Sequence, residues 1–247
     1  MYHVSGETCL EAWKEGCNIL IEQDYSLFNL VTTIENPKVL DEEWISTYNP
    51  RSFIPKSNGT SLSDVINTIF PRRLVKERTR DELYKYYLEV DSRRSRLGNQ
   101  KKDRWGTYFR RMICFGDDAN NNQLETIIKV LNNEDRWFRT TNPIHISSAD
   151  YDSLAKRLGN PCLQYLQFVQ PVKGTLDLVV VYRNHDFFEK ALGNFIGLGQ
   201  LLDFVANATD TNAGKLICHS VRAYSDHKGP LEALARLNMQ QELLFGE

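Results

Sequence analysis

The chain has 247 residues, 41% hydrophobic and 25% charged, with a formal net charge of −2 at pH 7. That length suits one large domain or two small ones and can bury a full core, and a single domain over 1–247 is the expectation. The near-zero charge gives no support for bulk binding to nucleic acid or to a membrane surface.

Taken in chain order, Leu10, Trp13, Ile19 and Leu20 predict an amphipathic helix over 9–23. Residues 34–60 are rich in Pro, Asn, Ser and Gly and read as irregular loop or edge strand. Ser61 caps a short helix that Pro71 stops. Thr79 or Asp81 caps another, running to Tyr87 or Leu88, and the polar stretch 91–104 reads as a mobile surface loop. Residues 122–131 form a helix with Leu124, Ile127, Ile128 and Leu131 on one face, and Ser148 caps a helix through Leu158. Two strands, 163–170 and 175–183, make a hairpin around Gly174. A long apolar helix over 187–206 holds Gly193, Gly197 and Gly199, which close packing or a ligand approach would explain. Residues 216–224 form a last strand, so the class is α+β with a mostly antiparallel mixed sheet between helices.

Five cysteines, Cys9, Cys17, Cys114, Cys162 and Cys218, are irregularly spaced, with no CxxC pair. Neither a disulfide framework nor a zinc site is suggested, and His185, His219 and His227 have no metal-ligand spacing. Residues 1–15 lack a signal-type apolar run, and no segment approaches the roughly 18 apolar residues of a membrane span. The cytoplasm is the expected compartment.

Cys162 opens a strand, and the next strand ends in Arg183-Asn184-His185-Asp186. The thiol is either packed in the core or a nucleophile facing that cluster. A nucleophilic cysteine needs nearby positive charge to lower its pKa, and Arg183 across the hairpin can supply it.

Five stretches, in order, carry a resemblance: RDELYKYYL (80–88), WGTYFRRM (105–112), NPCLQYLQF (160–168), YRNHDFFEKALGNF (182–195) and GKLICHSVRAYSDH (214–227). Together they resemble the thymidylate synthase superfamily with its nucleotide hydroxymethylases, most densely over 105–227. The resemblance implies a thymidylate synthase-like fold. It also implies transfer of a methyl or hydroxymethyl carbon from 5,10-methylenetetrahydrofolate to C5 of a pyrimidine nucleotide monophosphate. In this family pattern Cys162 attacks C6, Arg183 and Asn184 hold phosphate, and Asn194 reads the base edge. Asp186 orients folate and water, Tyr224 binds the sugar, and Glu82 and Tyr108 manage protons and water. Burial against Tyr84, Tyr86 and Tyr87 would raise the Glu82 pKa for that work. The family is a homodimer whose partner supplies two phosphate-binding arginines, matched in region by Arg136 and Arg139.

Simpler readings stand beside these: Glu82 as a first-turn carboxylate, Asp186 as a helix cap, Tyr108 and Tyr224 as packed aromatics, and Arg136 and Arg139 at a surface helix end. The sequence departs from the family at Asn184, where serine is common, and at Leu163, where many members have histidine. Arg222 stands where histidine is common and could read a further phosphate or a ribose hydroxyl. These departures, with the unmatched C-terminal QQELLFGE, motivate a second expectation: a non-catalytic nucleotide-binding sensor or partner protein on the same fold.

Overall fold

A computed structural model describes residues 1–39, 61–97, 106–133, 137–150, 152 and 160–233. Its elements are β1 (Tyr2–Gly6), α1 (Cys9–Glu22), β2 (Ser26–Ile34), α2 (Leu62–Ile69), α3 (Arg72–Val75), α4 (Arg80–Leu97), α5 (Tyr108–Ile113), α6 (Gln123–Leu131), β3 (Ile144–His145), β4 (Leu163–Val169), β5 (Thr175–Tyr182), β6 (His185–Asp186), a π turn (Phe187–Ala191), α7 (Leu192–Ala208) and β7 (Asn212–Tyr224).

The strands form one mixed sheet in the order β1-β2-β7-β5-β4-β3, with β6 alongside β7. The α+β class is as expected. The pairing is not mostly antiparallel, because β1/β2, β5/β7 and β6/β7 are parallel while β2/β7, β3/β4 and β4/β5 are antiparallel. The cause is β7, a central strand that reaches β5 only after the long α7 crossover.

One sheet face is the core. Leu30, Leu166, Phe168, Leu178, Val180, Tyr182, Leu216 and Cys218 are fully buried there. Helix α1 buries Ala12, Trp13, Gly16, Cys17 and Leu20, and Trp13 Nε1 donates to the Phe187 carbonyl at 2.6 Å. Helix α7 lies over β5 and β7 and beneath α2. Its glycines serve that packing: a Cβ on Gly193 would meet Val65 Cγ1 at 2.7 Å, and one on Gly197 the Ile66 carbonyl at 3.0 Å. The other face carries the half-exposed row Val31, His219, Val181 and Tyr165, aligned across β2, β7, β5 and β4.

Several local expectations hold. Ser61 and Asp64 make a reciprocal capping box, Asn122 caps α6, and Gly174 takes φ 86° between β4 and β5. Two features differ. The polar residues 91–97 continue α4 instead of forming a loop, and strands β1 and β2 add to the strands expected from the sequence. The expected loop at 40–60 and most of the helix expected after Ser148 lie outside the described residues. Among the described residues no helix is long and apolar enough to cross a membrane.

Candidate functional site

The start of β4 and the ends of β5 and β7 meet at one end of the sheet, because β4 runs against β5 and β7 runs with it. Cys162, half-buried, sits just before β4, beside a register shift between Leu163 and Tyr165. Such an irregularity re-aims the side chains next to it.

Arg183 follows β5 directly. Its backbone N–H donates to the Cys162 carbonyl at 2.9 Å. Its guanidinium donates through Nε to the Pro161 carbonyl and through Nη2 to the Asn160 carbonyl, both at 3.0 Å. Arg183 therefore braces the two residues before the cysteine. A guanidinium has five N–H donors, so three remain for an anion.

The electrostatics of the thiol differ from the sequence expectation. Burial pushes the Cys162 pKa up, Arg183 and Lys190 pull it down, and Asp186 pushes it up. Burial prevails, so the thiol lies above the ordinary cysteine range and not below it. In the free protein at neutral pH it holds its proton.

Asp186 pairs with Tyr224 where β6 lies along β7. Its Oδ1 accepts from the Phe188 and Glu189 amides at 3.1 and 3.0 Å, so it caps the π turn. Burial raises its carboxyl to about 6. Tyr224, half-buried, is raised to about 12, first by burial and then by Asp186, Asp226 and Cys162. Arg222 stacks its guanidinium 4.4 Å from the Tyr224 ring centre and reaches Ser26 Oγ at 3.3 Å. Asn184 is half-buried in the turn between β5 and β6.

Tyr108 opens α5, capped by Thr107, and its hydroxyl lies against the backbone amides of Cys162 and Leu163. Burial drives its phenol well above the tyrosine range, and the neighbouring Cys162 adds to the rise. Asn194 lies in the first turn of α7, 4% exposed, with Nδ2 3.1 Å from His185 Nε2.

The structure thus gathers Arg183, Asp186, Tyr108 and Tyr224 within electrostatic reach of Cys162, with Asn184 and Arg222 on adjoining backbone. Glu82 is not part of this group. Its Oε2 accepts from the Thr79 amide at 2.9 Å and the Thr79 hydroxyl at 2.8 Å, in a capping box on the outer side of α4. The surrounding tyrosines have other partners: Tyr84 bonds Glu125 at 3.2 Å, Tyr87 bonds Thr107 at 2.7 Å, and Tyr86 lies under Arg78. The Glu82 pKa is accordingly lowered by its Thr79 bonds, whereas the sequence pattern implies a rise. Arg139 is exposed, over the Trp137 ring, and its carbonyl bonds the Gln170 amide beyond the far end of β4. Seven strand residues separate it from the Cys162 end, roughly 20 Å at strand rise. Arg136 lies outside the described residues.

Three residues join the site without a signal of their own in the motif pattern. Lys190 acts on the Cys162 thiol from the π turn. Tyr182 presses edge-on to Tyr108 and stacks flat on His185, centroids 4.2 Å apart. Its buried hydroxyl has no hydrogen-bond partner among the described residues. Ser220 bonds His185 from β7. The alternation of β5 puts Tyr182 in the core, but nothing in the sequence marks Lys190, because its direction depends on the π turn. Among the described residues no group of three or more His, Cys, Asp or Glu is arranged to hold a metal. Compared with protein-family models and with curated proteins, the sequence matches none.

Proposed function

We propose that the chain is a thymidylate synthase-like enzyme that adds the Cys162 thiolate to C6 of a pyrimidine nucleotide monophosphate and transfers one carbon to C5. The observation that carries this reading is the Arg183 brace. One guanidinium holds the carbonyls of Asn160 and Pro161, acts on the Cys162 thiol and keeps donors for a phosphate. Nucleophile placement and anion binding then depend on the same side chain.

In this reading the thiolate forms the C6–S bond as the C5–C6 π bond opens, which leaves C5 nucleophilic. Lys190 and Arg183 favour the thiolate, Tyr108 lies beside the backbone that carries it, and Asp186 and Tyr224 take the remaining polar groups. 5,10-Methylenetetrahydrofolate would supply the one-carbon unit, leaving as tetrahydrofolate where water completes a hydroxymethyl group, or as dihydrofolate where it also supplies the hydride that completes a methyl group. Asp186 has Oδ1 committed to the cap, so Oδ2 is the oxygen left to hold that group. Loss of the C5 proton and expulsion of the Cys162 thiolate restore the ring. Asn194 reads the base edge. The half-exposed sheet face favours a homodimer, whose second copy would deliver Arg136 and Arg139, since Arg139 lies at the wrong end of its own β4. Five free thiols suit a cytoplasmic compartment.

A second reading, a nucleotide-binding sensor, is favoured by one observation: the raised Cys162 pKa, with Glu82 turned away to Thr79. Tritium release from C5-labelled dUMP, UMP, dCMP and CMP, with and without methylenetetrahydrofolate, separates the two. Release that Cys162→Ala abolishes supports the enzyme. Calorimetric binding without release from any nucleotide leaves the sensor.

A further inference from the structure

The π turn that brings Asp186 and Lys190 to the site is held from two sides. A π turn is a rare local form, so its neighbours decide how firmly it is set. On the inner side Asp186 Oδ1 caps the Phe188 and Glu189 amides, and the Phe187 carbonyl accepts from Trp13 Nε1 at 2.6 Å. Phe187 and Phe188 are buried, and a Cβ on Gly16 would meet the Phe187 ring at 2.4 Å, so α1 leaves that ring no room to shift.

On the outer side Glu189 and Lys190 are half-buried. Glu189 Oε1 lies 3.1 Å from His227 Nε2, and the His227 ring packs against the Phe188 ring with centroids 5.6 Å apart. His227 is itself fixed. Its amide donates to Ser225 Oγ at 3.2 Å, the Ser225 amide donates to the Tyr25 carbonyl at 3.0 Å, and Lys228 pairs with Asp24 at 2.8 Å. An ionised carboxylate only accepts, so the proton of the Glu189 bond is on His227 Nε2, in the neutral and in the charged ring alike.

Lys190 follows Glu189 directly, so fixing Glu189 fixes the backbone from which Lys190 acts on the thiol. The charged groups that act on Cys162 are Arg183, Asp186 and Lys190. Arg183 is braced by the carbonyls of Asn160 and Pro161, and Asp186 by its cap. Lys190 stands on a flexible four-carbon stem, so its position depends on where the turn holds its backbone.

We infer that His227 is a positioning residue: through Glu189 it holds the outer half of the π turn and so keeps the Lys190 ammonium within reach of Cys162. Its place in the chemistry rests on the reading of Cys162 as the nucleophile, but its test needs no nucleotide.

The test follows carbamidomethylation of Cys162 by iodoacetamide from pH 7 to 10, read by peptide mass spectrometry. It compares the wild type, Lys190→Met, His227→Phe, His227→Gln and the combination of Lys190→Met with His227→Phe. The thiolate is the reacting form, so the rate at a fixed pH follows its population. Lys190→Met should slow the reaction by about threefold at pH 8, the scale of one partly screened charge. His227→Phe keeps a ring against Phe188 but has no donor for Glu189, and should slow it by about twofold. His227→Gln keeps an N–H donor and should stay near the wild-type rate. The combined variant should react no more slowly than Lys190→Met, because the histidine acts through the lysine. Should His227→Phe fail to fold, Glu189→Leu removes the same bond from the other side and carries the same expectations. A wild-type rate in the variants that lose the bond, no change in Lys190→Met, or the same slowing by His227→Phe with Lys190 already gone overturns the inference. Absence of tritium release from every nucleotide would remove the enzyme reading and leave this result standing, since alkylation reads the thiol alone.

Discussion

Asp186 and Glu82 do the same local work with opposite electrostatics. Each is a carboxylate at the start of a helical segment, with one oxygen taking two donors from the cap. Asp186 is largely buried beside Cys162 and Tyr224, and its pKa rises to about 6. Glu82 stands on the outer face of α4, and the same kind of hydrogen bonding lowers its pKa. Capping bonds favour the charged form in both, so burial decides the sign. A capping carboxylate has its pKa raised only where the fold withdraws it from water.

The contrast can be broken or sharpened by substitution. Cys162→Ala should have the largest effect, lowering tritium release by at least about a thousandfold while nucleotide still binds in the calorimeter. Asp186→Asn comes next. Asp186 binds its proton more tightly folded than unfolded, so its contribution to stability is complete below its usual 3.8 and is lost as pH rises through about 6. A rise of that size is equivalent to about 3 kcal/mol. Urea melts at pH 4 and pH 7 should therefore show Asn gaining about that much on the wild type at the higher pH; a pH-independent difference would remove the distinction from Glu82. Arg183→Lys replaces a planar fork with a point charge, so the carbonyls of Asn160 and Pro161 lose their brace. Nucleotide affinity should fall by about tenfold, read by calorimetry. Glu82→Gln should have the smallest effect, a slightly lower melting temperature and tritium release within about twofold of wild type. A large loss of release there would return Glu82 to the chemistry.

The elements that follow one rule are legible in the sequence. Ser61 to Asp64 is a capping sequence ahead of an apolar stripe, and α2 follows it. The β4–β5 hairpin alternates on both sides of Gly174. β2 is hidden because Asn29, at φ 60°, breaks the alternation: Leu27 and Leu30 are both buried three positions apart. Residues 91–97 extend α4 with almost no apolar stripe, a pattern that polar loops share. At the site, chain order points to Cys162, Arg183 and Asp186, because strand ends bring such residues together without fine tuning. The expected rise of the Glu82 pKa is absent because Tyr84, two positions on, points to the opposite side of the helix and bonds Glu125. The network through His185 and Ser220 is out of reach, since the residues meet only when β6 settles beside β7.

The five thiols of the chain are unequally accessible. Cys9, Cys17, Cys114 and Cys218 are buried, and Cys162 alone is half-open to water. A maleimide or haloacetamide dye should therefore attach mainly at one position without any cysteine being engineered away. The raised pKa of Cys162 makes that labelling slow near neutrality and faster in mild alkali. The chain thus carries its own attachment point for a fluorophore, at the end of the sheet beside Arg183 and Asp186.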